Sequence, residues 1–263
     1  MGVLDALRPA PGMKVLVTGG ASGIGAVIAA AFREAGSRVH VCDVNRAALD
    51  AYVAQHPGVT ASMADVSIPA EVDGVIDDVG TALGGLDVLV NNAGIAGPTH
   101  PIEEVDPADW ERTVAVNLGG QFHFARRAVP LLKRSGANPC LIAISSVAGR
   151  LGYAYRTPYA ATKWAIVGMM KSLAIELGTH DIRVNAILPG VVAGERMDNV
   201  IKARALATGV SVEQMRDSYL QKISLRRMVG AGDVAALSLF LCSPAARNIT
   251  GQAISVDGNV EYL

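Results

Sequence analysis

Short runs of apolar, β-branched residues alternate with longer stretches of helical apolar spacing over almost the whole chain. Residues 13–18, 38–43, 86–90, 141–145, 183–188 and 253–256 read as strands, with 59–63 as a weaker seventh. Most are continuous apolar runs rather than alternating ones, so both faces of these strands are expected to be covered. Between them, residues 24–35, 46–55, 69–83, 110–133, 159–177 and 234–241 carry the spacing of amphipathic helices. Such alternation predicts an α/β fold: a doubly wound parallel sheet of about seven strands, joined by right-handed crossovers, with helices on both faces. No repeat, low-complexity tract or Pro/Ser linker interrupts the 263 residues, so a single domain is expected. Residues 191–229 break the rhythm, being polar, helical in composition and rich in Met and Arg. An excursion of that length after the sixth strand is expected to be a lid over a site, not a second domain.

Composition then removes several classes of function. With 51% hydrophobic residues and a net charge of −1, the chain is not disordered, and it lacks the basic excess that nucleic acid or an anionic membrane demands. No run reaches the roughly 18 apolar residues of a membrane span. The start of the chain carries no signal-peptide pattern, and the Asn248-Ile249-Thr250 sequon is read as chance. Cys42, Cys140 and Cys242 lie far apart, and the five histidines show no metal-ligand spacing. The cysteines are expected to be buried thiols in a reducing cytoplasm, and no metal site is expected.

The first strand runs into Thr18-Gly19-Gly20-Ala21-Ser22-Gly23-Ile24-Gly25 and then a helix. Gly19 can take a turn conformation that a Cβ forbids, Gly23 lets backbone approach a pyrophosphate, and Gly25 lets the helix pack closely on the strand. A plain tight turn would look similar in so glycine-rich a chain. Context raises the dinucleotide reading: the second strand ends in Asp43, placed to accept hydrogen bonds from an adenosine ribose diol. A carboxylate there repels a 2′-phosphate, which favours NAD over NADP, although Arg46 follows three residues later. Asp65, after the third strand, is read equally as a cleft residue or as a helix cap.

The fifth strand ends in Ser145-Ser146, and Tyr159 follows Ser146 by 13 residues, with Lys163 one helical turn beyond. Positions i and i+4 share a helix face. A phenol has an unperturbed pKa of about 10, and a neighbouring ammonium favours its ionised form, making proton exchange with an alcohol feasible. A surface helix with an exposed Tyr and Lys is the plainer reading. The conjunction with the serines, the glycine turn and Asp43 argues against it. Tyr153 and Tyr155 have no cation at i+4.

Taken in order, Thr18–Gly25, Asp65, Asn91-Asn92-Ala93-Gly94, Asn117, Ser146, Tyr159/Lys163, Pro189-Gly190 and Thr250-Gly251…Val256-Asp257-Gly258 resemble the short-chain dehydrogenase/reductase family over essentially the whole chain. The resemblance implies a Rossmann-type fold and a nicotinamide cofactor held by Gly19, Ser22, Gly23, Ile24, Gly25, Asp43, Asp65, Val66, Asn91, Tyr159, Lys163 and Val192. It implies Tyr159 as general acid/base, Ser146 rather than Ser145 as the hydroxyl that polarises the substrate, and Lys163 on the nicotinamide ribose. Asn117 would hold a proton-passing water, while also capping a helix kink. It implies reversible hydride transfer between NAD(H) and a secondary alcohol or ketone, and a homotetramer that buries the apolar excess of helices 110–133 and 159–177.

The chain departs from the family pattern at Gly194, where a threonine is usual, and this puts one cofactor contact in doubt. The substrate pocket is expected near Ile95–Gly97, residues 150–155 and the lid. Arg150, Arg156 and Arg196 flank it in sequence and suggest an anionic small-molecule substrate, with snorkelling or paired arginines as the plainer reading. Two other functions remain at this point: an NADPH-dependent 3-oxoacyl-thioester reductase, and a dinucleotide sensor without turnover.

Overall fold

The computed structural model describes residues 2–262. Seven strands form one parallel sheet: β1 (Lys14–Thr18), β2 (Arg38–Asp43), β3 (Thr60–Met63), β4 (Val88–Asn91), β5 (Cys140–Ile144), β6 (Arg183–Pro189) and β7 (Ala253–Val256). Their spatial order is β3-β2-β1-β4-β5-β6-β7. The order reverses at β1, which pairs with β2 on one side (Val17 opposite Val41) and β4 on the other (Val17 opposite Val90). A doubly wound sheet opens its crevice at such a reversal, outside the carboxyl ends of the strands.

A short N-terminal turn, α1 (Val3–Ala6), precedes the sheet. Residues alternate between the two faces of each central strand, and both faces are apolar. Leu16, Leu89 and Leu141 pack under α4 (Pro69–Leu83), α6 (Gly120–Leu132) and α7 (Thr157–Gly178). Val15, Val17, Val88, Val90 and Ile142 pack under α2 (Gly23–Glu34), α3 (Arg46–Gln55) and α10 (Ala231–Leu241). This two-sided burial is what makes the strands read as continuous apolar runs.

Residues 110–133 do not form the single helix expected. Helix α5 (Pro107–Val114) starts earlier, because Asp106 accepts a hydrogen bond from Ala108 N at 2.8 Å and Pro107 suits a first helical position. A π-helical turn, Ala115–Gly119, then separates α5 from α6 and carries Asn117. Periodicity cannot reveal one extra residue in a turn, but π-turns recur at functional positions. Residues 191–229 fold as two helices, α8 (Glu195–Thr208) and α9 (Val212–Gln221), over a small core of Val191, Ile201, Ala205, Met215, Tyr219, Ile223 and Val260. Among the described residues, no helix is long and apolar enough to cross a membrane, and no cluster of three His, Cys, Asp or Glu could hold a metal. Cys42, Cys140 and Cys242 are free and buried.

Candidate active site

At the end of β1 the chain turns through Gly19 (φ +59°) and enters α2 at Gly23 (φ +53°), both in the region that favours glycine. A Cβ on Gly25 would lie 2.1 Å from the Gly19 carbonyl oxygen, so the first turn of α2 touches the loop before it. Nothing lies within 4 Å of where a Gly23 Cβ would stand, and the Ser22 hydroxyl, at the helix N-cap, makes no capping bond. An open backbone approach, an uncommitted hydroxyl and a helix N-terminus together fit a pyrophosphate. Ile24 anchors this turn against the core below.

Asp43 stands beside that loop: its carboxylate accepts from Ala21 N at 3.3 Å and from Asn45 N at 3.1 Å. Arg46 points to Asp50, 3.8 Å away across one exposed helical turn. Two residues without an assigned role in the sequence reading complete the floor. Thr18 Oγ1 accepts from Asn92 N and Ala93 N, each at 3.0 Å, and Asn92 Nδ2 donates to the carbonyls of Thr18 and Gly19. The loop after β4 is thereby stitched to the glycine turn. Their sequence signal was slight: a polar residue closing each of two adjacent apolar runs.

Asp65 is a turn-former and half of an ion pair. Its carboxylate accepts from Ser67 N and Oγ, ahead of α4, and from Arg112 Nη2 at 2.8 Å, which holds it below the usual carboxylate range despite the opposing effect of burial. Val66 is buried against Gly120, where a Cβ would come within 2.6 Å of it. The Asn91 side chain faces inward, Nδ2 donating to the Gln121 carbonyl at 2.9 Å, so only its backbone can face the crevice. Val192 forms a parallel bridge with Val229. Ala193 N donates to Val229 O and Val229 N to Val191 O, so the N–H and C=O of Val192 itself point the other way, suited to a carboxamide. At Gly194, where α8 begins, φ is +139°, a conformation that strains any residue with a Cβ, so a threonine here would require a different turn.

On the catalytic side, α7 begins at Thr157, which puts Tyr159 in its first turn and the buried Lys163 one turn on. Lys163 Nζ donates to the Ile144 carbonyl at 3.0 Å, at the end of β5, and keeps two further N–H bonds. The two serines separate cleanly. Ser145 is buried and donates to the Lys163 carbonyl at 2.8 Å, whereas Ser146 opens a tight turn, accepting from Ala148 N at 3.1 Å, and lies near enough to the Tyr159 phenol to favour its ionised form. Burial alone would raise the phenol's pKa. The Lys163 and Arg196 charges, the nearby Ser146 hydroxyl and the Arg156 charge reverse that, and the net direction is down. Lys163 is also lowered, by burial first, with Tyr159 opposing and Arg196 reinforcing.

Asn117 grips the backbone of Ile95 at both ends, accepting from its N at 2.7 Å and donating to its O at 3.1 Å, and donates to Thr162 Oγ1 at 3.2 Å. Both Nδ2 hydrogens are spent, and Oδ1 keeps one lone pair. A Cβ on Gly94 would lie 3.0 Å from that oxygen and 3.7 Å from Lys163 Nζ, so both atoms border one small space.

A cleft of about 530 Å³ runs between Gly94–Gly97 and the start of α8, lined also by Thr99, Glu195, Arg196, Asn199, Val200 and Ala203. The three arginines part company here. Arg150 lies outside it, paired with Asp257 at 2.8 Å and bonded to the Val260 carbonyl. Arg156 is buried, donating to the Ala96 carbonyl at 2.7 Å. Arg196 reaches from α8 to the Gly94 carbonyl at 3.1 Å and alone faces the cleft with donors to spare.

The chain belongs to the short-chain dehydrogenase/reductase family. A family profile described as "Enoyl-(Acyl carrier protein) reductase" matches residues 19–260. A tropinone reductase homolog of Arabidopsis thaliana is 35% identical over 252 residues, covering 94% of this chain and 89% of the relative. The structure of NAD+-bound xylitol dehydrogenase superposes with a TM-score of 0.90 at 26% identity, over 95% of this chain and 99% of that one. Actinorhodin polyketide ketoreductase with NADPH superposes with a TM-score of 0.89 at 30% identity, over 94% and 96%. The protein is a nicotinamide-dinucleotide-dependent oxidoreductase of secondary alcohols and ketones.

Proposed function

We propose that the protein carries out reversible oxidation of a secondary alcohol with NAD, with Tyr159 as general base and acid. The observation that carries this is the buried Lys163 ammonium held 5.6 Å from the centre of the Tyr159 ring by the Ile144 carbonyl, with the Ser146 hydroxyl nearby and the phenol's acidity raised by these surroundings. When bound, the nicotinamide accepts the hydride in oxidation and supplies it in reduction. Ser146 donates to the substrate oxygen and fixes it against the phenol. In oxidation the phenolate takes the hydroxyl proton as the carbon loses its hydride, leaving a ketone; in reduction the phenol returns the proton. Lys163 holds the nicotinamide ribose with its free N–H bonds, and Asn117 Oδ1 holds a water through which the proton passes outward. The α8–α9 segment acts as the lid over this site, within a single domain.

NAD is the proposed cofactor because the Asp43 carboxylate stands beside the glycine turn, where it would accept from an adenosine ribose and repel a 2′-phosphate, while Arg46 is drawn to Asp50. The second reading, an NADPH-dependent 3-oxoacyl-thioester reductase, is favoured by one feature: both partners of that 3.8 Å pair are exposed, so Arg46 is free to turn toward a 2′-phosphate. An anionic substrate would use Arg196, the one arginine with open donors over the cleft. A homotetramer is proposed from the apolar surface left open on α5, α6 and α7, where Trp110, Phe122, Trp164 and Ile175 are exposed. Free buried thiols support a cytoplasmic location.

A screen of neutral and anionic hydroxy compounds, followed by nicotinamide absorbance with NAD and NADP side by side, tests the reading. Turnover is expected with NAD and lost in Tyr159→Phe, while NADH binding persists. Full turnover in that variant would remove Tyr159 from the chemistry.

A further inference from the structure

Arg156 is 2% exposed, and among the described residues no carboxylate lies within ion-pair distance of it. Its Nη2 donates to the Ala96 carbonyl, its Nε has no hydrogen-bond partner, and two aromatic rings stack on it. Its Cζ lies 4.9 Å from the centre of the Tyr159 ring and 5.1 Å from that of Tyr153. A buried guanidinium ordinarily demands a counter-charge. Of the two phenols, Tyr153 is held protonated by burial and by its neighbour Tyr219, whereas the surroundings of Tyr159 push its pKa down, so Tyr159 is the one whose ionisation gives Arg156 a counter-charge.

The stack continues away from the site. Arg204 of α8, itself buried, places its Cζ 5.0 Å from the Tyr153 ring and 5.5 Å from that of Tyr219 on α9, and donates to Tyr219 Oη at 3.1 Å. The Tyr153 and Tyr219 hydroxyls share a hydrogen bond of 2.5 Å. Rings and guanidinium groups thus alternate from Tyr159 through Arg156, Tyr153 and Arg204 to Tyr219, from the catalytic helix into both lid helices. Such contacts strengthen when desolvated. The inner end is rigidly set. Arg156 N donates to the Tyr153 carbonyl at 3.1 Å across a turn that forces Tyr155 to φ +64°, and the Tyr155 carbonyl accepts from His100 N at 3.1 Å. A bulky residue with positive φ marks a conformation imposed by its surroundings.

We propose that Arg156 is a positioning residue for Tyr159, and that the Tyr153–Arg204–Tyr219 stack makes its placement depend on the packing of the α8–α9 lid. This rests on Tyr159 being the acid–base group. The groups facing Tyr159 are Lys163 from its own helix, Arg156 from the residue before that helix, Arg196 from α8 and Ser146 from the turn after β5. Removing Arg156 leaves three of the four in place.

Tyrosinate absorbance tests the proposal without a substrate. The NAD-saturated enzyme is titrated with alkali, and the Tyr159→Phe trace is subtracted so that only Tyr159 ionisation remains. In the parent protein that ionisation is expected below the ordinary tyrosine range; its absence would sink the acid–base reading itself. Arg156→Met is expected to move it upward by about one pH unit, and Arg156→Lys by less. Tyr219→Phe, which keeps the lid ring but deletes the hydroxyl shared with Tyr153 and Arg204, is expected to move it in the same direction by a smaller amount. A merely structural role would lower the melting temperature and leave the titration where it was. An unmoved titration in folded Arg156→Met overturns the proposal. Should that variant not fold, an unmoved titration in Tyr219→Phe does so.

Discussion

Lys163 Nζ donates to the main-chain carbonyl of Ile144 at 3.0 Å, which fixes the cation beneath the Tyr159 ring, 5.6 Å from its centre. The anchor is the last residue of β5, so the sheet itself sets the charge that acidifies the phenol.

Burial raises the Tyr159 pKa, and Lys163 is the largest of the effects that bring it down. The base needed for oxidation is the phenolate, so the oxidation rate rises as pH climbs through that depressed value. Lys163→Met leaves burial less opposed, and the ascending limb should move to higher pH. At pH 7 a loss of about 10²–10⁴ in kcat is expected, the usual scale for disabling a general base. A pH–rate profile of both proteins checks this; an unshifted limb would show that the ammonium does not act on the phenol.

Asp43→Asn retains the shape beside the glycine turn but removes its charge. Loss of a charge-assisted bond to a ribose hydroxyl should weaken NAD by about tenfold, and NADP should be admitted more readily. The ratio of kcat/KM for the two cofactors reads this directly, and a ratio that stays put would assign cofactor choice to another residue.

Gly94→Ala would press a methyl to 3.0 Å from Asn117 Oδ1. That oxygen already holds Ile95 N at 2.7 Å, so the loop must yield. Turnover should fall by at least about tenfold while the melting temperature changes little. Gly74→Ala at an exposed position of α4, where nothing lies within 4 Å, is the control, expected to keep activity and gain about 0.5–1 kcal/mol of stability. Equal effects from the two substitutions would refute a special role for Gly94.

His40, buried in β2, bonds to Thr60 Oγ1 at 2.8 Å and Ser62 Oγ at 2.9 Å, and Ser62 donates to Asp78. Burial depresses its pKa to about 4, with Asp78 opposing. The unfolded chain therefore binds a proton at a higher pH than the native one does. Its contribution to stability is complete above about pH 6.5 and is lost as pH falls toward 4, by about 2 kcal/mol between pH 7 and 5. Urea denaturation at the two pH values should show that loss in the parent and a smaller one in His40→Phe.

Much of this was legible along the chain because it depends on local pattern. The strands show as apolar runs because both faces of β1, β4, β5 and β6 are covered, and the i, i+4 spacing of Tyr159 and Lys163 fixes a shared helix face whatever surrounds it. Asp43 follows the glycine turn by a distance that the strand–helix–strand unit imposes. The π-turn at Asn117 was not legible, since one additional residue in a helical turn leaves the hydropathy period almost unchanged. The arginines were not legible either: in sequence Arg150, Arg156 and Arg196 look equivalent.

The order of elements, the sheet they build and the chemistry of the central pair follow from short-range spacing and burial pattern, which a linear string carries. Which side chains are already spent does not. That Arg150 is consumed by Asp257, that Ser145 serves the Lys163 backbone while Ser146 faces the phenol, and that Arg156 is stacked between two rings all depend on how turns, strands and helices come together, whether the partners are three residues apart or 107. Hydrogen-bond donors and acceptors are finite, and only the assembled chain decides how they are allotted.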